Sequence, residues 1–269
     1  MKKSLIFLVF LIFLVTFQTP LVAKEHSTKH PNLQAAIIID DFGGDVKGVN
    51  EFFDSKIPIT VAVMPFLKNS EEQALKANEL GLEVMLHLPL EPKKGKKSWL
   101  GPNPITSDLS HEEIRKRVTA AIESIPHVAG VNNHMGSKIV EDEEIMRVIL
   151  EVVKEYDLYV IDSGTSGKSV IPKLAEEMNI PWSIRDTFLD DTHSSSSHVH
   201  QQMIKLAKVA TKHGKAIGIG HVGIKGTETV KGVKSALPHF KEKGIEIVPA
   251  SHLLQTKVEE NPEKFWQSE

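Results

Sequence analysis

From Gln34 onward the chain alternates short apolar runs with amphipathic stretches, and this rhythm restricts the possible folds more than any other feature. The runs are AAIIID, ITVAVMP, LEVMLHLPL, VAGVNNH, LYVIDSG, WSIRDT, AIGIGHV and IEIVPAS, each of strand length. The stretches between them read as helices. Ser70 with Gln73 and Ser110 with Glu113 have capping-box spacing, and EDEEIMRVILEVVKEYD repeats Ile145, Val148, Ile149 and Val152 at helical period. Strands alternating with helices build a parallel sheet, and nearly continuous hydrocarbon strands belong where both faces are covered. The expected architecture is an α/β fold, a closed or nearly closed (β/α) barrel with seven to eight parallel strands in a single domain over 34–257. A doubly wound open sheet is the alternative.

The ends read differently. MKKSLIFLVFLIFLVTFQTPLVAKE has Lys2 and Lys3, an apolar run from Leu5 to Val15 and a small residue at Ala23, the pattern of a secretory signal peptide over 1–23. The apolar run is shorter than the roughly 20 residues that span a bilayer, so no stable transmembrane span is expected after cleavage. Residues 24–33 read as a polar linker and 258–269 as a C-terminal tail. The protein is therefore expected to be secreted or extracytoplasmic, in the cell envelope. It has no cysteine, so its stability must come from an ordinary core. Setting the leader aside leaves 30 basic against 35 acidic side chains, a formal −5, which argues against a nucleic-acid partner. The basic run EPKKGKKSW reads as a solvated loop.

The strands finish on polar chemistry: Asp40 and Asp41, His87, Asn133 and His134, Asp162 and Ser163, Arg185 and Asp186, and His221. In a parallel barrel all the C-terminal strand ends open on one face, so these residues converge. Neighbouring carboxylates in a partly dry pocket repel, and a divalent cation removes the conflict. The competing explanation is that Asp41 or Asp45 caps a helix starting near Val46. Two neutral imidazoles and a carboxylate make the open three-ligand site of hydrolytic zinc, which gives Asp41, His87 and His134 as the metal set. Glu91, in HLPLEP, competes with His134 for the third place.

With IIIDDFGG, MLHLPLEP, GVNNHMGSK, VIDSGTS, IRDTFLDD and IGIGHVG in this order, the chain from Gln34 to Leu254 resembles the divergent polysaccharide deacetylase family, a branch of the metal-dependent carbohydrate deacetylases. The resemblance implies a distorted barrel, a divalent metal, zinc being the expected ion, and hydrolysis of an acetamide on an N-acetylated polysaccharide or peptidoglycan. It also implies Asp40 as the base, Asp41 as a ligand and His221 as the general acid. The chain departs from the usual pattern in two places. Glu91 stands where a second His of a His-x-x-x-His pair is expected, and the usual catalytic arginine motif has no clean match. Arg185 is its substitute candidate, with a structural ion pair as the other reading.

In the expected reaction Asp40 takes a proton from water, the oxygen attacks the acetyl carbon and His221 protonates the leaving amine. Asp162 is a candidate for orienting an imidazole or the base, and DSGTS equally suits an Asx turn. Asn133 and Ser137 are sugar-hydroxyl or loop residues. DDTHSSSSHVH holds Asp190, Asp191, His193, His198 and His200, but its serines read as a loop with Ser197 as a helix cap. There is no Gly-x-Ser-x-Gly nucleophile elbow and no phosphate-loop pattern. A two-carboxylate glycosidase and a non-catalytic carbohydrate-binding envelope protein on the same fold are the alternative functions.

Overall fold

The computed structural model of the chain describes residues 32–191 and 193–255. The expected signal peptide over 1–23, most of the expected linker over 24–33 and the expected tail over 258–269 lie outside the described residues. The elements follow the alternating rhythm: β1 (Leu33–Phe42), α1 (Val49–Phe53), β2 (Thr60–Val63), α2 (Ser70–Glu79), β3 (Glu83–Leu90), α3 (His111–Glu123), β4 (Val128–Met135), α4 (Glu143–Glu155) and β5 (Tyr159–Asp162). After them come α5 (Ile171–Met178), β6 (Trp182–Ile184), β7 (Thr187–Phe188), α6 (Ser196–His213), β8 (Lys215–His221), α7 (Gly226–Glu242) and β9 (Ile245–Ile247). Among the described residues no helix is long and apolar enough to cross a membrane.

The strands pair in parallel in the order β6-β5-β4-β3-β2-β1-β8-β7, and β9 joins the lower half of β1. This is a curled, distorted (β/α) barrel. The distortion lies in WSIRDT, which is two short strands on opposite edges. Arg185 N–H still donates to the Asp162 carbonyl beside β5 (3.0 Å), while the next amide, of Asp186, donates to Ile217 on β8 (2.8 Å). The Asp186 carboxylate accepts from Ile217 N–H in return (2.8 Å). The chain itself thus carries the sheet from one edge to the other.

Two apolar layers follow from the period of two along each strand. Ala35, Ile37 and Ile39 belong to the larger core shared with the helices, whereas Ala36, Ile38, Ala62, Met85, Tyr159, Ile161, Ile217 and Ile219 form a separate cluster inside the curl. Continuing the inward set by two residues on three strands gives Asp40, His87 and His221. The site therefore stands on a dry hydrocarbon floor at the C-terminal mouth of the sheet.

The helix starts are built as their chemistry requires, with two corrections. Ser110 Oγ accepts from Glu113 N–H (3.2 Å) and Asp142 Oδ1 from Ile145 N–H (3.1 Å). α6 is capped by Ser195, whose Oγ accepts from His198 N–H (3.2 Å), and not by Ser197. Ser70 and Gln73 do not form a capping box. Ser70 Oγ donates to the Met64 carbonyl (2.6 Å), and Gln73 accepts from Gly43 N–H (2.6 Å) while donating to the Gly44 carbonyl (2.8 Å). Ser70 is spent on the turn between β2 and α2, and Gln73 on the turn after the Asp40–Asp41 pair. In α4, Val148 is only half-buried, and Met146, Leu150 and Val153 join the buried face.

Candidate active site

Adjacent residues of a regular strand face opposite sides, so an Asp-Asp pair needs a break in the pleat if both carboxylates are to reach one pocket. The break is a bulge. The β1–β2 register shifts between Ile39 and Phe42, and Asp41 adopts φ 71°, in the left-handed region that aspartate tolerates better than most residues. Neither Asp41 nor Asp45 caps a helix. α1 begins at Val49 behind Gly48, whose N–H donates to Glu51 Oε2 (3.1 Å).

The bulge aims Asp41 Oδ1 at two imidazole nitrogens, His87 Nε2 at 3.4 Å and His134 Nδ1 at 3.2 Å, and those nitrogens lie 3.1 Å apart. Among the described residues this is the only cluster of three or more His, Asp or Glu side chains able to hold a metal ion. The chemistry of the surroundings tests whether a cation fits. Asp41 Oδ1 is a buried oxygen with no hydrogen-bond partner of good geometry. A tetrahedral ion with bonds of about 2.0–2.1 Å has ligand-to-ligand edges of about 3.3 Å, close to the three distances found.

The histidine tautomers agree. Asn132 Nδ2 donates to Asp40 Oδ1 (2.8 Å), so its Oδ1 must accept from His87 Nδ1–H (2.8 Å). That places the lone pair of His87 on Nε2, facing the cluster. His134 Nε2–H donates to the Trp99 carbonyl (2.9 Å), which leaves Nδ1 as its free lone pair. Each ligand ring is thus fixed from behind by a hydrogen bond, the arrangement expected around a metal.

The remaining predicted residues fall at different distances from this cluster. Asp40 is 2 % exposed, and its Oδ2 stands 3.7 Å from His87 Nε2. Burial raises its pKa, against the opposing pull of His87 and His221. Burial acts on Asp41 in the same sense but is outweighed by the His134 and His87 imidazoles beside it, which hold its carboxyl well below the ordinary range. His221 is the strand neighbour of Asp40. Burial works against its protonation, but Asp190, with Asp40 and Asp41 behind it, prevails and lifts its pKa to about 9.

Asp162 Oδ1 accepts from Gly164 N–H (2.8 Å), an Asx turn. Arg185 donates to the carbonyls of Ser163 (2.7 Å) and Gly164 (3.0 Å) and lays its guanidinium 3.6 Å over the Phe188 ring, which in turn stacks on His221. Neither Asp162 nor Arg185 belongs to the metal cluster, and Arg185 is linked to His221 through the Phe188 ring. Glu91 turns to Lys138 Nζ (2.9 Å) and Ser107 N–H (2.8 Å), away from the cluster that contains His134. Asn133 staples the β4 and β5 ends through Met135 O and Ser163 N–H, and Ser137 Oγ accepts from Lys93 N–H.

Two residues of the site escape a strand-end reading. Asn132 lies inside β4, two residues before His134, and that same-face spacing is the signal that could have found it. Asp190, grouped by sequence with a loop of histidines, instead accepts from His221 Nδ1 (2.7 Å), His221 N–H (2.9 Å) and Thr229 Oγ1 (2.6 Å). It is a buried carboxylate that orients an imidazole.

Residues 37–254 match the family described as divergent polysaccharide deacetylase. The chain belongs to that family. The chain is 33 % identical over 186 residues to the uncharacterized protein YibQ of Escherichia coli (strain K12), covering 69 % of this chain and 57 % of that one. It is 32 % identical over 186 residues to an uncharacterized protein of Haemophilus influenzae, covering 69 % and 65 %. The chain thus spans less than two thirds of either curated relative. Among solved structures, ATU2773 from Agrobacterium tumefaciens C58 superposes with a TM-score of 0.76 at 20 % identity, covering 82 % of this chain and 89 % of that one. The Bc1960 peptidoglycan N-acetylglucosamine deacetylase superposes at 0.53 with 14 % identity, covering 84 % and 89 %. At such identities these two likenesses concern the fold.

Proposed function

We propose that the protein is a secreted, metal-dependent hydrolase that removes N-acetyl groups from a cell-envelope polysaccharide. One observation carries the reading: Asp41, His87 and His134 converge on a common point with their lone pairs facing it, and the carboxylate Asp40 and the imidazole His221 stand side by side next to them. Zinc is the ion that fits two imidazoles and one carboxylate best. When bound, such an ion polarises an acyl oxygen and lowers the pKa of water from about 15.7 towards about 7.

The chain's own residues do the rest. Asn132 occupies Asp40 Oδ1 and leaves Oδ2 free as the proton acceptor. Burial on the hydrocarbon floor makes Asp40 a stronger base than an exposed aspartate. As the water's oxygen bonds to the acetyl carbon, its proton passes to Asp40. His221, protonated at neutral pH and held by Asp190 through Nδ1, gives its Nε2 proton to the amide nitrogen as the carbon–nitrogen bond breaks. Acetic acid, which ionises to acetate in solution, and a free amine leave, Asp40 releases its proton to solvent and His221 regains one.

The extracytoplasmic location is supported by the Lys2–Lys3 start and the apolar run that follows it. The deciding experiment incubates zinc-loaded protein with N-acetylated glycan oligomers and weighs the products. Loss of acetyl groups with intact chains is the expected result. Cleaved chains would instead indicate a glycosidase, and bound but unaltered glycan a non-catalytic envelope protein.

A further inference from the structure

The donors to Asp190 do not all do the same work. His221 supplies two of them, Nδ1–H to Oδ1 (2.7 Å) and its own backbone N–H to Oδ2 (2.9 Å). Bonds from one residue to one carboxylate fix the pair to each other, and leave open where the pair stands relative to the fold. The remaining donor comes from a different element, because Thr229 Oγ1 on α7 donates to Oδ2 at 2.6 Å. Asp190 needs such an anchor. It lies between β7 and α6, outside both, and follows Leu189, whose N–H donates to the Ile219 carbonyl of β8 (2.8 Å).

The surroundings of Thr229 suit it to this task. The residue is fully buried, and its hydroxyl has a single proton with two acceptors in reach, Asp190 Oδ2 at 2.6 Å and the Lys225 carbonyl one turn back at 3.3 Å. The shorter, charge-assisted bond takes the proton. A branched side chain in a helix has a restricted χ1, so the direction of the hydroxyl is set by the backbone of α7. Its methyl group lies against Gly220: a Cβ there would stand 3.1 Å from Thr229 Cγ2 and 3.4 Å from Asp190 Oδ2. The residue next to His221 on β8 thus has no side chain where the threonine and the carboxylate meet.

We propose that Thr229 is a positioning residue for His221: from α7 it fixes the plane of the Asp190 carboxylate, and through it the direction in which the imidazole points Nε2. The role of His221 as the acid rests on the deacetylase reading, but the test does not require turnover. The Nδ1 proton of His221 is followed by NMR in protein with isotope-labelled histidines, with and without zinc, and is identified by its absence in His221→Gln. Thr229→Val removes the hydroxyl at nearly constant shape. The bond left to His221 gains a fraction of one hydrogen bond in strength while the anchor loses a whole one, so the carboxylate swings more freely and Nδ1–H should exchange with water about tenfold faster. Thr229→Ser should recover most of the protection. Zinc affinity should stay unchanged, since the Thr229 hydroxyl bonds to none of Asp41, His87 and His134. That pattern supports the assignment even if the protein releases no acetate; where acetate is released, kcat should fall in Thr229→Val with KM unchanged. An exchange rate in Thr229→Val equal to that of wild type overturns it even if deacetylation is confirmed. So do a wild-type Nδ1 proton that exchanges too fast to be seen, and a zinc affinity that falls with Thr229→Val, which would show a loosened mouth and not a lost anchor.

Discussion

Asn132 does two jobs with one amide, because the group that donates to Asp40 forces the other end to accept from His87. Asn132→Leu removes both bonds at nearly constant volume. It should weaken zinc binding about 10-fold to 100-fold, as losses behind a ligand histidine do, and lower the rate further by leaving the base misaligned. Competition with a fluorescent chelator measures the first effect independently of the second. Asp190 acts on the acid in a similar way. A leaving-group acid must be protonated, so the alkaline limb of the rate follows His221, whose pKa of about 9 in the metal-free protein is the upper bound once a dication sits nearby. Asp190→Asn removes the charge that raises it and should move the limb towards the ordinary 6.5 or so. The same shift contributes stability that is full below about 6.5 and lost as pH rises through about 9. At this scale the sequence revealed residues at strand ends, where Asp40, Asp41, His87, His134 and His221 are conspicuous. It hid Asn132 within a strand. Asp190 was hidden because its partner is 31 residues away and is reached only through the β7–β8 pairing.

Among the elements, the end of β1 requires the most support, since a left-handed Asp41 and a positive-φ Gly43 (113°) follow each other closely. The bulge at Asp41 re-aims the carboxylates, and the glycines make the turn afterwards. Gln73 holds that turn by accepting from Gly43 N–H and donating to Gly44 O, which explains why an apparent capping residue is buried. Gln73→Ala leaves a buried amide unpaired and should reduce the unfolding free energy by about 1–3 kcal/mol in urea titrations. It should also weaken zinc binding, because Asp41 is carried on the loosened segment. Loss of stability with unchanged zinc affinity would show that the bulge is held by β1 alone. The strands and helices themselves were legible because strands covered on both faces read as short continuous apolar runs, and the helices between them carry a period of 3.6. The division of WSIRDT into β6 and β7 was not, because a switch of pairing partner at Arg185–Asp186 leaves no mark in the hydrophobic pattern.

For the whole molecule, the metal-free site holds buried carboxylates and imidazoles that need a positive charge among them, and a proton or a metal ion can supply it. Burial opposes protonation of His87, but Asp40 and Asp41 outweigh it and raise its pKa above the ordinary value. The His87 contribution to stability is therefore present below about 6.5 and fades as pH rises through the raised folded value. Asp41 behaves oppositely: its depressed pKa gives a contribution present above the usual carboxylate range and lost only in stronger acid. Once pH exceeds that raised value the proton leaves His87 and the lone pairs of the cluster lack a cation. Zinc, which binds deprotonated ligands, should then stabilise the fold by about 2.7 kcal/mol at a hundredfold excess over its dissociation constant, raising Tm by roughly 5–11 °C for a domain of this size. The shift should shrink as pH is lowered and protons reclaim His87. A chelator should abolish it, and His87→Ala should lack it at every pH. If zinc raised Tm equally in His87→Ala, the stabilising ion would be bound elsewhere and the three converging ligands would have to be read as a proton-held polar cluster.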